Sequence, residues 1–176
     1  RPSDDATLLP FLIPSNYFAV VSLKQLAEIA THLGLQTKLA EENLKLANEV
    51  DEALAKYAVS DHLNYGNILA FEVDGFGNKL FMDYANIASL LSLPYLGAME
   101  TTDSLYQNTR KFVLSANNPW FYKGKYAEGI GGPHVGADMI WPMSIVMRAM
   151  TSDDEQEIIS CMQMLIDTHA ETGFMH

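Results

Sequence analysis

Two adjacent carboxyls, Asp4 and Asp5, stand beside Arg1 in the opening Arg1-Pro2-Ser3-Asp4-Asp5, just before the apolar run from Leu8 to Ile13. Neighbouring carboxylates disfavour double ionisation, so such a pair can keep one proton near neutral pH and act as a general acid. Arg1 pulls the other way, towards an ionised partner. Acidic pairs of this kind also form turns and helix caps. Residue type alone leaves both readings open.

A second group of polar residues flanks the turn-forming Asp74-Gly75-Phe76-Gly77-Asn78: Glu72, Asp83 and Asn86. Asp74 and Asn78 themselves read as turn formers. Planar donors and acceptors beside aromatic rings match the vicinal hydroxyls and apolar faces of a sugar. Tyr65, Phe71, Phe76, Trp120, Tyr122 and Trp141 are near such groups in sequence, although most aromatics belong to cores. His134 lies in Gly-Gly-Pro-His-Val-Gly, whose glycines allow unusual backbone angles. That loop reads either as a shaped site or as a plain surface connector. His169 and His176 lie near and beyond a helix end. No H-E-x-x-H and no Cys/His cluster occurs, so neither metal nor cofactor is expected. Gly129-Ile130-Gly131-Gly132 lacks the Gly-Lys-Ser/Thr ending of a phosphate loop, and no G-x-S-x-G elbow is present.

The elements that must position these residues are mainly helical. Ser15 or Asn16 is expected to cap a helix to about Leu33, with Phe18, Val21, Leu26, Ile29, Ala30 and Leu33 inward and Gly34 as the stop. A longer helix is expected from Thr37 to Tyr57, with Leu39, Leu46, Val50, Ala53, Leu54 and Tyr57 inward and its charges on a solvated face. Ile68–Val73, the turn at 74–78 and Leu80–Met82 read as a β-hairpin. Helical pattern resumes over 85–92 and over 103–115. An aromatic- and glycine-rich loop fills 117–141. Pro142 suits the first turn of a helix reaching Met150. Ser152-Asp153-Asp154-Glu155 has capping-box spacing for a last helix reaching about His169.

The 176 residues are 48% hydrophobic with a formal charge of −11. That composition supports a core, and the charge disfavours nucleic acid and anionic membranes as partners. The run from Leu8 to Leu23 is interrupted by prolines and polar residues and is not a membrane span. The lone Cys161 sits in an apolar helical pattern and reads as a core thiol. The sequence opens without Met and stops in Gly173-Phe174-Met175-His176, and both ends read as cut from something larger.

Seven segments carry a resemblance to a known family. They are RPSDDAT at 1–7, FLIPSNYFAVVSL at 11–23, EVDGFGNKLFMD at 72–83, SLLSLPYLG at 89–97, GIGGPHVG at 129–136, IWPMSIVMRAMTS at 140–152 and THAETGFMH at 168–176. Together, in this order, they resemble the family-125 glycoside hydrolases, the metal-independent exo-α-1,6-mannosidases. The resemblance implies a single, partial catalytic domain over 1–176, a central-to-C-terminal portion of an (α/α)6 toroid of helical hairpins. It implies removal of terminal α-1,6-linked mannose with inversion, from an α-mannoside or an N-glycan-derived oligosaccharide. Asp4 maps to the general acid. The general base maps to a glutamate directly after the GFMH motif, a position following His176, so this chain alone is expected to be inactive. Arg1, Asp5, Glu72, Asp83, Asn86, His134, Trp141 and His176 are the expected substrate contacts. Two departures stand out: Tyr84 where the family has a carboxylate, and Ala88 where it commonly has proline. A non-catalytic mannose-binding fragment and a helical-toroid glycosidase for another sugar are the alternatives.

Overall fold

A computed structural model describes residues 5–35 and 37–174. Arg1, Asp4 and His176 lie outside the described residues. Five helices, α1 (Ile13–His32), α2 (Thr37–Tyr57), α3 (Ser104–Val113), α4 (Pro142–Met150) and α5 (Glu155–Asp167), dominate the described chain. Short strands lie between them: β1 (Phe11–Leu12), β2 (Val59–His62), β3 (Gly66–Leu69), β4 (Glu72–Val73), β5 (Lys79–Leu80), β6 (Phe121–Lys123) and β7 (Glu128–Ile130).

The helix α1 begins earlier than Ser15 or Asn16 would place it. Leu12 is its N-cap without a side-chain bond, Pro14 fills the first turn, and the Asn16 amide instead donates back to the Leu12 carbonyl at 2.7 Å. Gly34 ends it in the left-handed region, φ +64°. Of the residues expected inward, Ala30 is buried and Val21 half-buried, and the other four are not. Tyr17, Val20, Ala27 and Ala30 are buried, whereas Phe18, Leu26, Ile29 and Leu33 are exposed. Apolar residues line most of this helix, so spacing alone does not choose its face. The second helix, α2, packs on it through Ala40, Ala47 and Leu54. Small side chains let the two backbones approach, and the larger Leu39, Leu46 and Tyr57 stay outside.

Two antiparallel sheets follow. β2 pairs with β3, and β4 pairs with both β1 and β5, so the 74–78 turn closes the hairpin read from sequence, although each of its arms is only two residues long. Asp74 builds that turn. Its Oδ1 accepts from the Phe76 and Asn78 amides, and a hydrogen bond from the Asn78 side chain is the main cause that holds its carboxyl below the usual range.

The core gathers around residues 68–71. Leu69, Ala70, Phe71, Leu90, Leu93, Tyr106 and Val113 have no exposed surface. Helix α3, capped by Asp103 through the amides of Leu105 and Tyr106, docks on β3 where Thr109 Oγ1 accepts from the Leu69 amide at 2.9 Å. Residues 85–92 are turns and not a helix. Ser89 and Ser92 exchange side-chain bonds with each other's backbone, and the Asp83 carboxyl takes the Leu90 and Leu91 amides. Local side-chain acceptors have displaced the helical ladder there. Asp154, not Ser152, caps α5. Ser152 instead donates to Glu157.

Candidate active site

Glycines in the 129–132 loop gather sequence-distant residues, and they do so by close approach. A Cβ on Gly131 would sit 1.9 Å from the Met139 carbonyl oxygen, which no side chain survives. One on Gly129 would meet Ile140 at 2.9 Å and Ser144 at 3.1 Å, and one on Gly132 would press on Tyr84 at 3.3 Å. None of these three glycines has a positive φ. Their role is therefore proximity, not the unusual angles suggested by composition. Gly136, at the far side of the loop, does take φ +94°.

That proximity lets backbone groups pair. Gly131 N donates to Trp120 O, Ala85 N donates to Gly131 O, and Trp141 N donates to Ile130 O, at 2.8, 2.8 and 3.1 Å. Ser144 Oγ accepts from Ile130 N and donates to Trp141 O, so the start of α4 is tied to β7. Residues 84–85, 120, 130–132 and 141 thus meet at one place. Tyr84 is buried beneath it, edge-on to Phe71 with centroids 5.0 Å apart.

Above this floor the His134 ring lies nearly parallel to Trp141, with centroids 6.3 Å apart and planes 17° apart. His134 is exposed and Trp141 half-buried. Trp141 also borders a cavity of about 980 Å³ with Tyr126, Val135, Asp138, Met139 and Thr168. Asp138 holds a left-handed φ of 58° on its rim. The cavity mixes an aromatic plate, apolar walls and a carboxylate, and it is large enough for a disaccharide-sized ligand. Tyr126 and Asp138 had no sequence signal, and Thr168 had none beyond its place in the THAETGFMH segment. Tyr126 comes from the turn between β6 and β7, Asp138 from the loop before α4 and Thr168 from the end of α5.

The other expected contacts divide sharply. Asp5 is half-buried, and its Oδ2 is shielded from solvent with no hydrogen-bond partner among the described residues. Asn86 is half-buried, one residue beyond the Ala85–Gly131 bond. Glu72 and Asp83 have no exposed surface among the described residues. Glu72 Oε2 accepts from the Leu8 and Leu9 amides at 2.8 and 2.9 Å. Asp83 gives one oxygen to each of the Leu90 and Leu91 amides, both at 2.9 Å. Burial pushes the Asp83 carboxyl up to about 7, against the pull of those amides. Both carboxyls organise backbone. Among the described residues no group of three His, Cys, Asp or Glu side chains is placed to hold a metal ion, and no helix is long and apolar enough to cross a membrane.

The sequence and fold of this chain are those of a family of glycoside hydrolases. The chain belongs to the metal-independent α-mannosidases, glycoside hydrolase family 125, whose family model matches residues 1–176. It is 46% identical over 177 residues to the meiotically up-regulated gene 157 protein of Schizosaccharomyces pombe, covering all of this chain and 35% of that protein. It superposes with TM-score 0.95, at 40% identity, on a metal-independent α-mannosidase of Streptococcus pneumoniae in a non-productive complex with α-1,6-mannobiose. That likeness covers all of this chain and 42% of the bacterial one. The chain therefore spans less than half the length of these relatives.

Proposed function

We propose that this chain forms part of the active site of an exo-acting enzyme that removes terminal α-1,6-linked mannose with inversion. The observation that carries the reading is the superposition of all of this chain on 42% of a mannosidase that holds α-1,6-mannobiose in a non-productive complex. The cavity beside the His134–Trp141 stack supports it, because an aromatic plate covers the apolar face of a pyranose while Asp138 suits its hydroxyls. The described helices also fit a portion of an (α/α)6 toroid. Phe18, Leu26, Ile29 and Leu33 stand exposed on α1, a surface that neighbouring helices of such a ring would cover.

In this reading Asp4 is the general acid, and Arg1, Asp5 and His176 are contacts around it. A glutamate following the GFMH motif is the base. The base takes a proton from water, and the water oxygen bonds to the anomeric carbon from the face opposite the leaving group. The bond from that carbon to O6 of the leaving sugar breaks, and Asp4 gives O6 its proton. An inverting pair needs its carboxyls roughly 6.5–9.5 Å apart, to leave room for the water. Proton NMR of the full-length protein acting on α-1,6-mannobiose tests both parts. β-Mannose as the first product is expected, and α-mannose first would overturn inversion. Equal rates on α-1,2- and α-1,3-mannobiose would overturn the linkage preference.

A further inference from the structure

We infer that Asp138 is a specificity-determining residue for the leaving sugar, accepting two of its vicinal hydroxyls at the mouth of the cavity. The inference deepens the mannosidase reading above and rests on it. Asp138 is exposed and borders the cavity together with Tyr126, Met139 and Trp141. Its backbone is left-handed, φ 58°. Glycine takes that conformation without cost, whereas a residue with a Cβ is strained there, aspartate less than most. The chain thus carries a carboxyl where the backbone favours glycine. A backbone outlier of this kind on a cavity rim points to a role in the site.

The backbone on either side of Asp138 is anchored. Upstream, Gly136 bridges back to Gly132, and its amide donates to the Gly132 carbonyl at 3.2 Å. Downstream, the Met139 carbonyl packs so closely on Gly131 that no Cβ fits between them, and the Trp141 amide donates to Ile130 O at 3.1 Å. Trp141 lies three residues beyond Asp138, at most about 11 Å along the chain. Plate and carboxylate therefore face one ligand from fixed places, and a contact held in place before binding costs less to make. A carboxylate accepts through two oxygens, so it can take two adjacent hydroxyls at once. The exo-acting cut decides which sugar brings them. The terminal mannose is the end of its chain and can be enclosed, while the rest of the substrate must leave through the mouth. An exposed carboxylate on the rim, with the exposed Tyr126 on the same cavity, meets the part that leaves. A leaving mannose joined through O6 keeps its O2, O3 and O4 hydroxyls as an adjacent set. These lie away from the breaking bond, so the contact is equally strong in ground and transition states and is felt in KM.

The test uses the full-length protein and two substrates, α-1,6-mannobiose and hexyl α-mannoside. Both release a primary alcohol, but only mannobiose carries ring hydroxyls on the leaving side. The readout is the ratio of their kcat/KM values. Asp138→Gly removes the carboxyl and keeps the left-handed backbone without strain. Its ratio of mannobiose to hexyl mannoside is expected to fall about tenfold, the lower range for hydrogen bonds to a charged group, with the loss in the KM for mannobiose. Asp138→Asn keeps one acceptor oxygen and tolerates the same backbone, so its ratio should fall less. A ratio that holds in both variants overturns the leaving-sugar contact. Equal losses on the two substrates would then place Asp138 at the terminal sugar or in the loop's own stability, and no loss on either would place it outside the substrate's reach. The wild-type protein separates the two readings. If it cleaves neither substrate, the mannosidase reading falls and the leaving-sugar contact with it. If it cleaves both and the ratio holds in the variants, the leaving-sugar contact falls alone.

Discussion

The two ends of α4 are held by opposite kinds of force. At its start, where the cavity lies, glycines bring β7 and the Met139 carbonyl into contact and short backbone bonds do the rest. At its end, Arg148 donates to both Glu128 and Glu157, and Arg110 adds two bonds to Glu157 and one to the Arg148 carbonyl. That knot ties α3, α4, α5 and β7 together through charges that are mostly out of water, with side-chain exposures of 13, 17 and 16% for Arg110, Arg148 and Glu157. Steric contact fixes position to a fraction of an ångström and does not respond to pH. Charge pairing tolerates small shifts and does respond. The end that shapes the cavity uses the first device, and the supporting end uses the second.

The strongest way to break this contrast is Gly131→Ala. Its methyl would overlap the Met139 carbonyl by more than 1 Å, and a backbone atom cannot step aside as a flexible side chain can. Overpacking ordinarily costs about 1–3 kcal/mol. This clash belongs with the exceptional losses of about 4 kcal/mol, read by urea denaturation of the full-length protein. A loss below about 1 kcal/mol would show that the loop can shift and that proximity is not its design.

Glu157→Gln tests the other end. Burial works to raise this carboxyl, but bonds from Arg110, Ser152 and Arg148 outweigh it and bring it down to about 2, from an ordinary 4.5. A lowered carboxyl contributes stability that is fully present above 4.5 and is lost as pH falls towards 2. At about 1.4 kcal/mol per pH unit the contribution is about 3 kcal/mol at neutral pH. The cost of Glu157→Gln should therefore shrink steadily on acidification from 4.5 to 2. A cost independent of pH over that window would mean that the knot is packing and not charge.

Asp83→Asn should show the reverse slope. Here burial raises the folded carboxyl to about 7 from 3.8, so ionisation opposes folding. The wild-type protein loses stability as pH rises from 3.8 to 7 and then levels off, whereas asparagine does not titrate. Replacing one of two acceptors of the Leu90 and Leu91 amides should cost about 1–2 kcal/mol near pH 4. That cost should fall as pH rises from 3.8 to 7 and level off above 7. A cost that grows with pH would mean that the two amides keep Asp83 ionised.

Which parts of this were legible follows from where each signal sits. The starts of α3 and α4 could be read because Asp103 and Pro142 act on their own next turns. Most of the buried face of α1 could not, because Tyr17, Val20 and Ala27 compete with equally apolar neighbours. Nor could the turns at 85–92, where side chains of Asp83, Ser89 and Ser92 capture amides that the apolar spacing assigns to a helix. In the site, the unusual residue types His134 and Trp141 announced themselves, and the structure brings them together. Glu72 and Asp83 announced themselves equally and turned inward, since composition does not tell a carboxyl that binds a ligand from one that binds backbone. The Arg110–Glu157–Arg148–Glu128 knot left no trace, because partners 47 and 20 residues apart share no local pattern.

The finest test separates distance from burial inside the charged end itself. Lys123 meets Glu128 at 3.0 Å, and Arg148 meets the same carboxyl at 3.1 Å. Length alone would rank the two bonds as equals. The Lys123 side chain, however, is 77% exposed, against 17% for Arg148. An exposed ammonium gives up little hydration, loses side-chain entropy on pairing and is screened by salt. Lys123→Ala should therefore cost no more than about 0.5 kcal/mol, and the cost should vanish near 1 M salt. Arg148→Ala leaves Glu157 and Glu128 short of a partner in a shielded place, which costs several times more and persists in salt. Urea denaturation of both variants at low and high salt gives the answer. Similar costs for the two, or a Lys123 effect that survives high salt, would show that contact distance and not burial sets the strength of this end of α4.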